Sequence, residues 1–416
     1  MLLQTLLAML LAALPAAASS TSAAPPALEG RGRVAWFEGS YAEALAEASR
    51  SDRILFLDFW TSWCSWCRSM ARETYADPSV VQEFSSGIVC LSLDAESIEG
   101  RRISTSFGVQ DYPSLLFLEA DGSPRDAISG FVTAPRLRSE VQRIKRGEET
   151  IADFHKRITT NPNDLVARIC LSAKLRRFAR TVEAEAQINI VRKKLERGEG
   201  YARDSIESRW AVASKLREVG ELELYREQAN AILRLDRMRK SLAARSIGVY
   251  DAIEHLRSTG DDVPLRKLLE RERDPGLLFH GWRWVAALAD ERVKAAELKS
   301  SIEDVIVYRR ESRDARRTAW PHCPLTERAL FANNLAWAYW QDRAHLSAAE
   351  RTFALKVATV AQQLEPNNVL LLDTFACCLW MNGRKDEAQR QVKRCIELDP
   401  ENKEWRKRLT QLADSD

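Results

Sequence analysis

The stretch LDFWTSWCSWCRSMARETYADPSV, residues 57–80, places Cys64 and Cys67 with two residues between them. An apolar run typical of a buried strand precedes the pair, and a run typical of a helix follows it. Three kinds of site use a cysteine pair at this spacing: a thiol–disulfide redox couple, half of a metal site, or a structural disulfide.

A redox couple fits the pair better than a metal site or a structural disulfide does. A zinc site needs about four ligands, and the sequence has no second C-x-x-C. A disulfide that closes so short a loop removes little entropy from the unfolded state. Helix N–H groups and the helix dipole would instead favour the thiolate of Cys64, and Cys67, one turn later, could reach back to it. The five histidines lie at no ligand spacing: His155, His255, His280, His322 and His345.

The segment around the pair alternates helix and strand signals. We predict an amphipathic helix at YAEALAEASRSD, strands at RILFLDFW and GIVCLSLD, and helices at SWCRSMARETY, PSVVQEFSS and SIEGRRISTSFG. SLLFLEADGSPRDAISGF predicts two strands around an Asp-Gly turn, and APRLRSEVQRIK predicts a closing helix. Residues 33–146 therefore form an α/β domain whose mixed sheet is covered on both faces.

Residues 33–146 resemble a thioredoxin-fold domain. The motif that carries the resemblance is C-x-W-C-x-x-M-x-x-E-T-Y-x-D-P-x-V, which is similar to exported thioredoxin-like proteins, including the C-terminal domain of DsbD-type interchange proteins. Two positions depart from the family pattern. Ser65 and Trp66 stand between the cysteines in place of Gly-Pro, and Cys90 occupies a strand position often held by lysine. The residues of the motif are Cys64, Trp66, Cys67, Met70, Glu73, Thr74, Asp77, Pro78 and Val80.

The resemblance implies a role for each site residue. Cys64 corresponds to the solvent-facing nucleophile and Cys67 to the resolving cysteine. Asp58, six residues before Cys64, corresponds to the buried acid that assists proton transfer. Tyr112-Pro113 corresponds to the cis-proline loop, which faces the disulfide and pairs with substrate backbone, and Gly130 corresponds to a family glycine. A packing role for Asp58 is the alternative, although an acid inside ILFLDFW would be costly to bury without a use.

The neighbouring tryptophans and the remaining cysteines have simpler interpretations. Trp60, Trp63 and Trp66 could serve in packing, but we expect Trp63 to contribute an apolar rim around the sulfur and Trp66 to contact substrate. Cys90 is interpreted as a buried apolar residue. Of the adjacent Cys377 and Cys378, one is expected to face the core and the other to be partly exposed. We expect Cys323, in WPHCP, to be exposed in a loop, and the pattern assigns no role to the last two cysteines, Cys170 and Cys395.

From about residue 147 the sequence predicts an all-helical solenoid of tetratricopeptide (TPR) type. Pro366 and Pro400 lie thirty-four residues apart, which is the period of such repeats. Ala376 and Ala388 fall where the two helices of the last unit would cross closely. The preceding unit has about six extra residues in its middle. We assign TPR-like helix pairs to residues 147–328 and TPR repeats to residues 329–416. Within 200–328 the sequence predicts helices but does not show where each repeat begins.

The first residues bear on localisation, and the overall charge bears on nucleic-acid binding. MLLQTLLAMLLAALPAAASS contains a short apolar run followed by small residues, which predicts a signal peptide at 1–24 and an exported, periplasmic or secreted, protein. An uncleaved anchor is the alternative; no later segment reaches membrane length. Sixty-two Lys and Arg against 59 Asp and Glu argue against a nucleic-acid binder.

These patterns predict an exported thiol–disulfide oxidoreductase with an α/β thioredoxin fold followed by an all-α TPR-like solenoid. The expected partners are protein disulfide substrates, a redox partner protein, and a peptide or protein bound by the repeats. No cofactor and no metal are expected, and the mature form is not expected to be embedded in a membrane. The alternatives are a redox-silent interaction scaffold and a chaperone-like protein.

Overall fold

The computed structural model describes residues 32–200, 205–400 and 402–413. The predicted signal peptide, 1–24, lies outside these ranges. In the described part of the chain every named strand ends by Ser129, and all later elements are helical. Among the described helices, none is both long and apolar enough to cross a membrane.

The N-terminal part is a thioredoxin-like α/β domain with a four-stranded sheet in the order β2-β1-β3-β4. β1 pairs in parallel with β2 and antiparallel with β3, and β3 pairs antiparallel with β4. The strands are β1 Ile54–Trp60, β2 Ile88–Asp94, β3 Ser114–Leu118 and β4 Pro124–Ser129. The helices are α1 Tyr41–Ser51, α2 Ser65–Ser69, α3 Pro78–Phe84, α4 Ile98–Ser106 and α5 Ala134–Lys145, with a π-helical turn, Met70–Thr74, after α2.

The predicted mixed sheet with two covered faces is confirmed. Side chains of β1 alternate between two apolar clusters, as the period of a strand requires. Leu57 lies in the cluster that includes α1, and Phe56 lies in the cluster that includes α3 and α5. The first cluster also contains Phe154 and Leu171, from the helices that follow the domain, so the sheet and the first helices of the solenoid share one core.

The helix predicted over SWCRSMARETY widens into the π-helical turn. Its extra residue per turn appears as a hydrogen bond from the Tyr75 N–H to the Met70 carbonyl, 2.8 Å. The widening lets two side chains of the turn reach one residue. Met70 Sδ accepts from the Val132 N–H at 3.3 Å, and the Thr74 hydroxyl donates to the Val132 carbonyl at 2.7 Å.

The rest of the described chain is an all-helical region that fits a TPR-like solenoid. Three short 3₁₀ turns, Trp320–His322, Leu325–Glu327 and Arg343–His345, separate some of its helices. The helices are α6 Ile151–Thr160, α7 Leu165–Arg177, α8 Thr181–Arg197, α9 Ile206–Glu218, α10 Leu222–Leu235, α11 Leu242–Thr259, α12 Val263–Leu269, α13 Pro275–Leu298, α14 Ile302–Ala319, α15 Arg328–Gln341, α16 Ala348–Leu364, α17 Val369–Met381, α18 Lys385–Leu398 and α19 Lys403–Ala413.

Four helix pairs share one turn geometry. α7–α8, α9–α10, α13–α14 and α17–α18 are each joined by three residues, and the middle residue has a left-handed backbone: Ala179 (φ 53°), Gly220 (φ 83°), Ser300 (φ 55°) and Gly383 (φ 75°). Such a short link between helices that pack together forces them to run antiparallel. The α9–α10 pair lies in the segment that the sequence could not phase. Residues 342–347 connect α15 to the longer helix α16, which accommodates the predicted insertion.

Two expectations about cysteines are wrong. Cys377 and Cys378 are both fully buried, because α17 packs against helices on more than one side. Cys323 is also buried, in a small cluster with Phe279 and Phe331. Burial raises the pKa of the Cys323 thiol to about 11, so it stays protonated at neutral pH. Cys90 is buried, as expected.

The helical region contacts the thioredoxin-like domain near both of its ends. At one end, Asp126 of β4 accepts hydrogen bonds from Arg143 of α5, 2.7 Å, and from Lys174 of α7. At the other end, Arg72 pairs with Asp399 at 3.2 Å, and Asn368 donates to Glu73 Oε2 at 2.9 Å. The helical region therefore leaves the domain at one side of the sheet and returns to it at the π-helical turn.

The close crossing of α17 and α18 predicts the effect of a larger side chain. Ala376 and Ala388 are fully buried in one cluster, so Ala376→Phe should lower the free energy of unfolding by about 1–3 kcal/mol through overpacking. Denaturant unfolding followed by circular dichroism measures this. Ala349→Phe, at an exposed position of α16, is the matched control and should change it by less than about 0.5 kcal/mol. Equal effects of the two substitutions would contradict the close crossing.

Candidate functional site

The two cysteines lie where β1 gives way to α2. Cys64 is the N-cap residue of α2, and Cys67 lies one turn into the helix. They are joined by a disulfide, and the Cys67 N–H donates to Cys64 Sγ at 3.0 Å. Both residues are buried or nearly so. A backbone N–H directed at Cys64 Sγ stabilises a negative charge on this sulfur, which favours the thiolate when the pair is reduced.

Tyr112 and Trp60 pack around the disulfide. These two side chains and both cysteines form one small apolar cluster. The Tyr112-Pro113 peptide bond is cis, as predicted. The Pro113 carbonyl accepts a hydrogen bond from the Gly130 N–H at 2.8 Å, which attaches the proline loop to the residue after β4. The cysteine pair and the proline loop thus meet at the end of the central strands.

Trp63 and Trp66 project from the protein next to the disulfide. Trp63 is 67% exposed and meets the Tyr112 ring edge-on at 6.0 Å between ring centroids. Trp66 is 55% exposed, and its ring lies 5.4 Å from that of Phe131. Large exposed aromatic side chains on a protein surface commonly mark an interaction site. The structure places both residues beside the cysteines, and their role in substrate binding stays a prediction.

Asp58 is buried in β1 and is held by two hydroxyl groups. Tyr75 donates to Asp58 Oδ1 and Ser92 to Asp58 Oδ2, each at 3.1 Å. Burial, and next the charge of Asp58, raises the pKa of Tyr75 well above its usual value, so Tyr75 remains a hydrogen-bond donor at every physiological pH. Each oxygen of this buried carboxylate thus accepts a hydrogen bond from a hydroxyl group.

Sequence reasoning missed Tyr75 and Ser92. In the sheet register Ser92 lies opposite Asp58, whereas Cys90 lies opposite Phe56. Ser92 therefore lies two residues after the cysteine that occupies the expected lysine position, and Tyr75 directly follows the π-helical turn. The available signal was the tyrosine directly after the E-T pair of the motif, since a buried carboxylate requires donors. Burial raises the pKa of Cys90 to about 12, so this thiol is not a second nucleophile at neutral pH.

Glu73 is the second carboxylate near the cysteine pair. It is part of the motif, but the sequence assigned it no function. It lies in the π-helical turn, faces α17 and α18, and its Oε1 is buried without a hydrogen-bond partner among the described residues. Burial raises the pKa of Glu73 to about 7; Arg72 lowers it, and the carboxylates of Glu365 and Asp399 raise it further. In the folded protein Glu73 therefore keeps its proton until near-neutral pH.

The described residues contain no group of three or more His, Cys, Asp or Glu side chains that could hold a metal ion. The histidines of the described helices are dispersed: His255 lies beside Asp261, His345 beside Asp342, and His280 beside Tyr250. The chemistry that the site residues themselves provide is thiol chemistry.

Comparison with known proteins supports the fold of the N-terminal domain. Residues 36–120 match a family model described as thioredoxin-like. UBX domain-containing protein 4 of Mus musculus is 25% identical over 154 residues, which cover 32% of this chain and 30% of that protein. The chain spans between 22% and 30% of the length of the curated relatives it matches.

Three solved structures are also similar to parts of the chain. A proposed disulphide-isomerase from Bacteroides thetaiotaomicron is 32% identical, with 29% of this chain and 98% of that chain covered and a TM-score of 0.26. The reduced DsbD C-terminal domain of Neisseria meningitidis is 25% identical, with 24% and 91% covered and a TM-score of 0.22. The TPR domain of P58(IPK) is 11% identical, with 63% and 91% covered and a TM-score of 0.21. The thioredoxin-like fold with a C-x-x-C pair supports thiol–disulfide redox activity.

The raised pKa of Glu73 predicts a pH dependence of stability. Its usual value is 4.5 and its folded value about 7. The stabilising contribution of protonated Glu73 is complete below pH 4.5 and is lost as the pH rises to 7, because only the unfolded state releases the proton in this window. Glu73→Gln should match wild type at pH 5 and be more stable at pH 8, by about 1–3 kcal/mol.

Thermal and urea unfolding at pH 5 and pH 8 measure this difference. Glu38→Gln, at an exposed position before α1, is the control and should leave the pH dependence of stability at its wild-type value. If Glu73→Gln and wild type lose stability in parallel between pH 5 and pH 8, Glu73 does not titrate in this range.

Proposed function

We propose that this chain is an exported thiol–disulfide oxidoreductase that reduces or exchanges disulfides in protein partners bound through its helical region. The observation that carries the proposal is the Cys64–Cys67 disulfide at the start of α2, with the Cys67 N–H directed at Cys64 Sγ. A cofactor is not required, because the two thiols themselves carry the electron pair. A redox partner protein must restore the pair after each cycle.

Reduction of a substrate disulfide takes two exchange steps. The Cys64 thiolate attacks one substrate sulfur, a Cys64–substrate disulfide forms, and the first substrate thiolate leaves. Cys67 then loses its proton and attacks Cys64 Sγ, so that the Cys64–Cys67 disulfide forms and the second substrate thiolate leaves. Two electrons pass from the enzyme dithiol to the substrate. Asp58 is the proposed acceptor of the Cys67 proton, and the hydroxyl groups of Tyr75 and Ser92 hold its carboxylate in place.

The proposed substrate contacts surround the disulfide. Tyr112 and the cis Pro113 lie on one side, where an extended substrate backbone could pair with the proline loop. Trp63 and Trp66 offer exposed aromatic faces to apolar side chains of the substrate. All four residues lie in loops or at the start of a helix, beside the two buried cysteines.

Export and partner binding rest on sequence features. The apolar run near the N terminus, Leu2–Leu14, supports export to the periplasm or outside the cell. The helical region supports binding of a peptide or protein, because stacked helix pairs create extended concave surfaces. An interaction scaffold without redox activity is the second candidate, favoured by the large share of the chain that is helical. Such a scaffold would not require two thiols at the start of α2.

Replacing the cysteines tests the redox proposal directly. Cys64→Ala should abolish reduction of insulin disulfides in the presence of a dithiol, because no nucleophile remains. Cys67→Ala should accumulate a mixed disulfide with substrate at Cys64, visible by non-reducing electrophoresis. Cys170→Ala, which removes a half-buried cysteine of α7, is the control and should retain activity. Full activity of Cys64→Ala would contradict the redox proposal and leave the interaction scaffold as the remaining candidate function.

Changing Asp58 and its donor tests the proton-transfer role. Asp58→Asn should slow the resolution of the mixed disulfide about a hundredfold and flatten its pH profile, because the proton acceptor is lost. Tyr75→Phe should have a smaller effect, since Ser92 still donates to Asp58. Stopped-flow fluorescence of the exposed tryptophans follows the reaction. The matched controls are Asp121→Asn and Tyr41→Phe; a hundredfold loss with Asp121→Asn as well would remove Asp58 from the mechanism.

A further inference from the structure

A cavity of about 840 Å³ lies between the thioredoxin-like domain and helices α13, α14 and α15. One wall is formed by the residues that follow β4, including Phe131 and Arg136. The other wall is formed by the helical region, including His280 and Trp284 of α13 and Leu330 of α15. We call this space the interdomain groove. It exists because the helical region leaves the sheet at one side and returns to the π-helical turn at the other.

The interdomain groove is continuous with the redox site. Phe131, which lines it, contacts the ring of Trp66, the residue that directly precedes Cys67, in a tilted arrangement. The next residue, Val132, is hydrogen-bonded to Met70 and Thr74 of the turn behind the cysteines. Gly130, the preceding residue, is bonded to the carbonyl of cis Pro113. A polypeptide whose cysteine reaches Cys64 can therefore pass over Trp66 and Phe131 into the groove.

The groove has an apolar floor, and one of the cations that line it has no partner among the described residues. Leu330 is 51% exposed, and the rings of Phe131 and Trp284 also face the space. Two arginines of the helical wall are already paired: Arg283 with Glu327, and Arg316 with Asp290, each at 2.5 Å. Arg136, on the opposite wall, makes no hydrogen bond or ion pair with the described residues. Arg136 is thus free to pair with an acidic group that enters the groove.

His280 supplies a polar group on the helical wall. Its Nε2 is buried and has no hydrogen-bond partner among the described residues. Burial lowers the pKa of His280, and the charges of Arg217 and Arg283 lower it further, so the ring is neutral. A neutral imidazole can accept from an amide N–H or donate to a carbonyl, and both groups occur along an extended polypeptide backbone.

The groove continues along the helices. A second space of about 430 Å³ shares Asp290, Arg316 and Asn334 with the first and extends to Trp337 on α15. Two adjacent spaces along the same three helices favour an extended occupant over a compact small molecule.

We propose that the interdomain groove binds an extended polypeptide segment next to the reactive cysteine of the substrate, and that it selects a segment with an acidic side chain between apolar ones. This inference rests on the proposed function and names the class of substrate for it. Arg136 pairs with the acidic side chain, and Phe131, Trp284 and Leu330 pack against the apolar side chains. The selection adds to the contacts that Pro113 and the two exposed tryptophans make at the cysteine itself.

Binding of two labelled peptides to the full chain tests the selection. Both peptides carry serine in place of cysteine and apolar residues at the centre, and they differ only in one central residue, aspartate or lysine. Fluorescence anisotropy should show about tenfold tighter binding of the aspartate peptide to wild type. Arg136→Glu should abolish or reverse this ratio. Arg138→Glu, the same charge reversal on the same helix but outside the groove, should keep the ratio within about twofold of wild type.

The outcomes separate the groove from the chemistry. Equal affinities of wild type for the two peptides, or equal effects of Arg136→Glu and Arg138→Glu, would overturn the proposal. A concentration-dependent dimer that Arg136→Glu alone disrupts, seen by sedimentation, would assign the groove to a second copy and also overturn it. Because the peptides contain no cysteine, this result does not depend on redox activity. If the protein reduces disulfides through Cys64 but does not prefer the aspartate peptide, the groove proposal alone is refuted. If it prefers the aspartate peptide but Cys64 reduces no disulfide, the redox function alone is refuted.

Discussion

Asp126 fixes the position of the helical region on the sheet. This carboxylate of β4 has no solvent exposure, and it is paired with Arg143 of α5 and Lys174 of α7. A buried carboxylate with two cations tolerates little displacement, because removing either cation leaves an uncompensated charge. Since α7 belongs to the solenoid and α5 to the thioredoxin-like domain, this cluster and the apolar core that the sheet shares with α6 and α7 together hold the first helices of the solenoid on the sheet. The path of all later helices, and with it the interdomain groove, depends on that starting point.

The local features of the fold could be predicted from the sequence because their causes are local. The nearly continuous apolar run ILFLDFW gives a buried central strand, and the Asp-Gly dipeptide gives the turn before β4. The C-x-x-C spacing at a strand–helix junction identifies the cysteine pair. The resemblance to the thioredoxin fold implied the cis bond before Pro113, which the structure contains. Each of these inferences uses residues within about ten positions of one another, or a motif with a fixed order.

The features that the sequence did not predict depend on residues far apart in the chain. Tyr75 and Ser92 meet Asp58 only after the sheet register and the π-helical turn are formed. Arg72 and Asp399 are separated by 327 positions, and nothing in either local pattern indicates the partner. The sequence did not reveal the α9–α10 pair, because its distance from the neighbouring pairs departs from the thirty-four-residue period. What it shares with the other pairs is the geometry of its turn, Val219-Gly220-Glu221. The burial of Cys377 and Cys378 depends on how many neighbours surround α17.

The π-helical turn connects the cysteine pair to both other parts of the site. Toward the sheet side, Met70 and Thr74 hold Val132, and so position Phe131 between Trp66 and the groove. Toward the helical region, Arg72 and Glu73 contact Asp399 and Asn368. An ordinary α-helical turn places residues three and four apart on one face, whereas the wider turn distributes its side chains over two directions. Cys67 lies on α2, three residues before this turn, so the five residues of the turn link the helix that carries the sulfurs to the point where the solenoid returns to the domain.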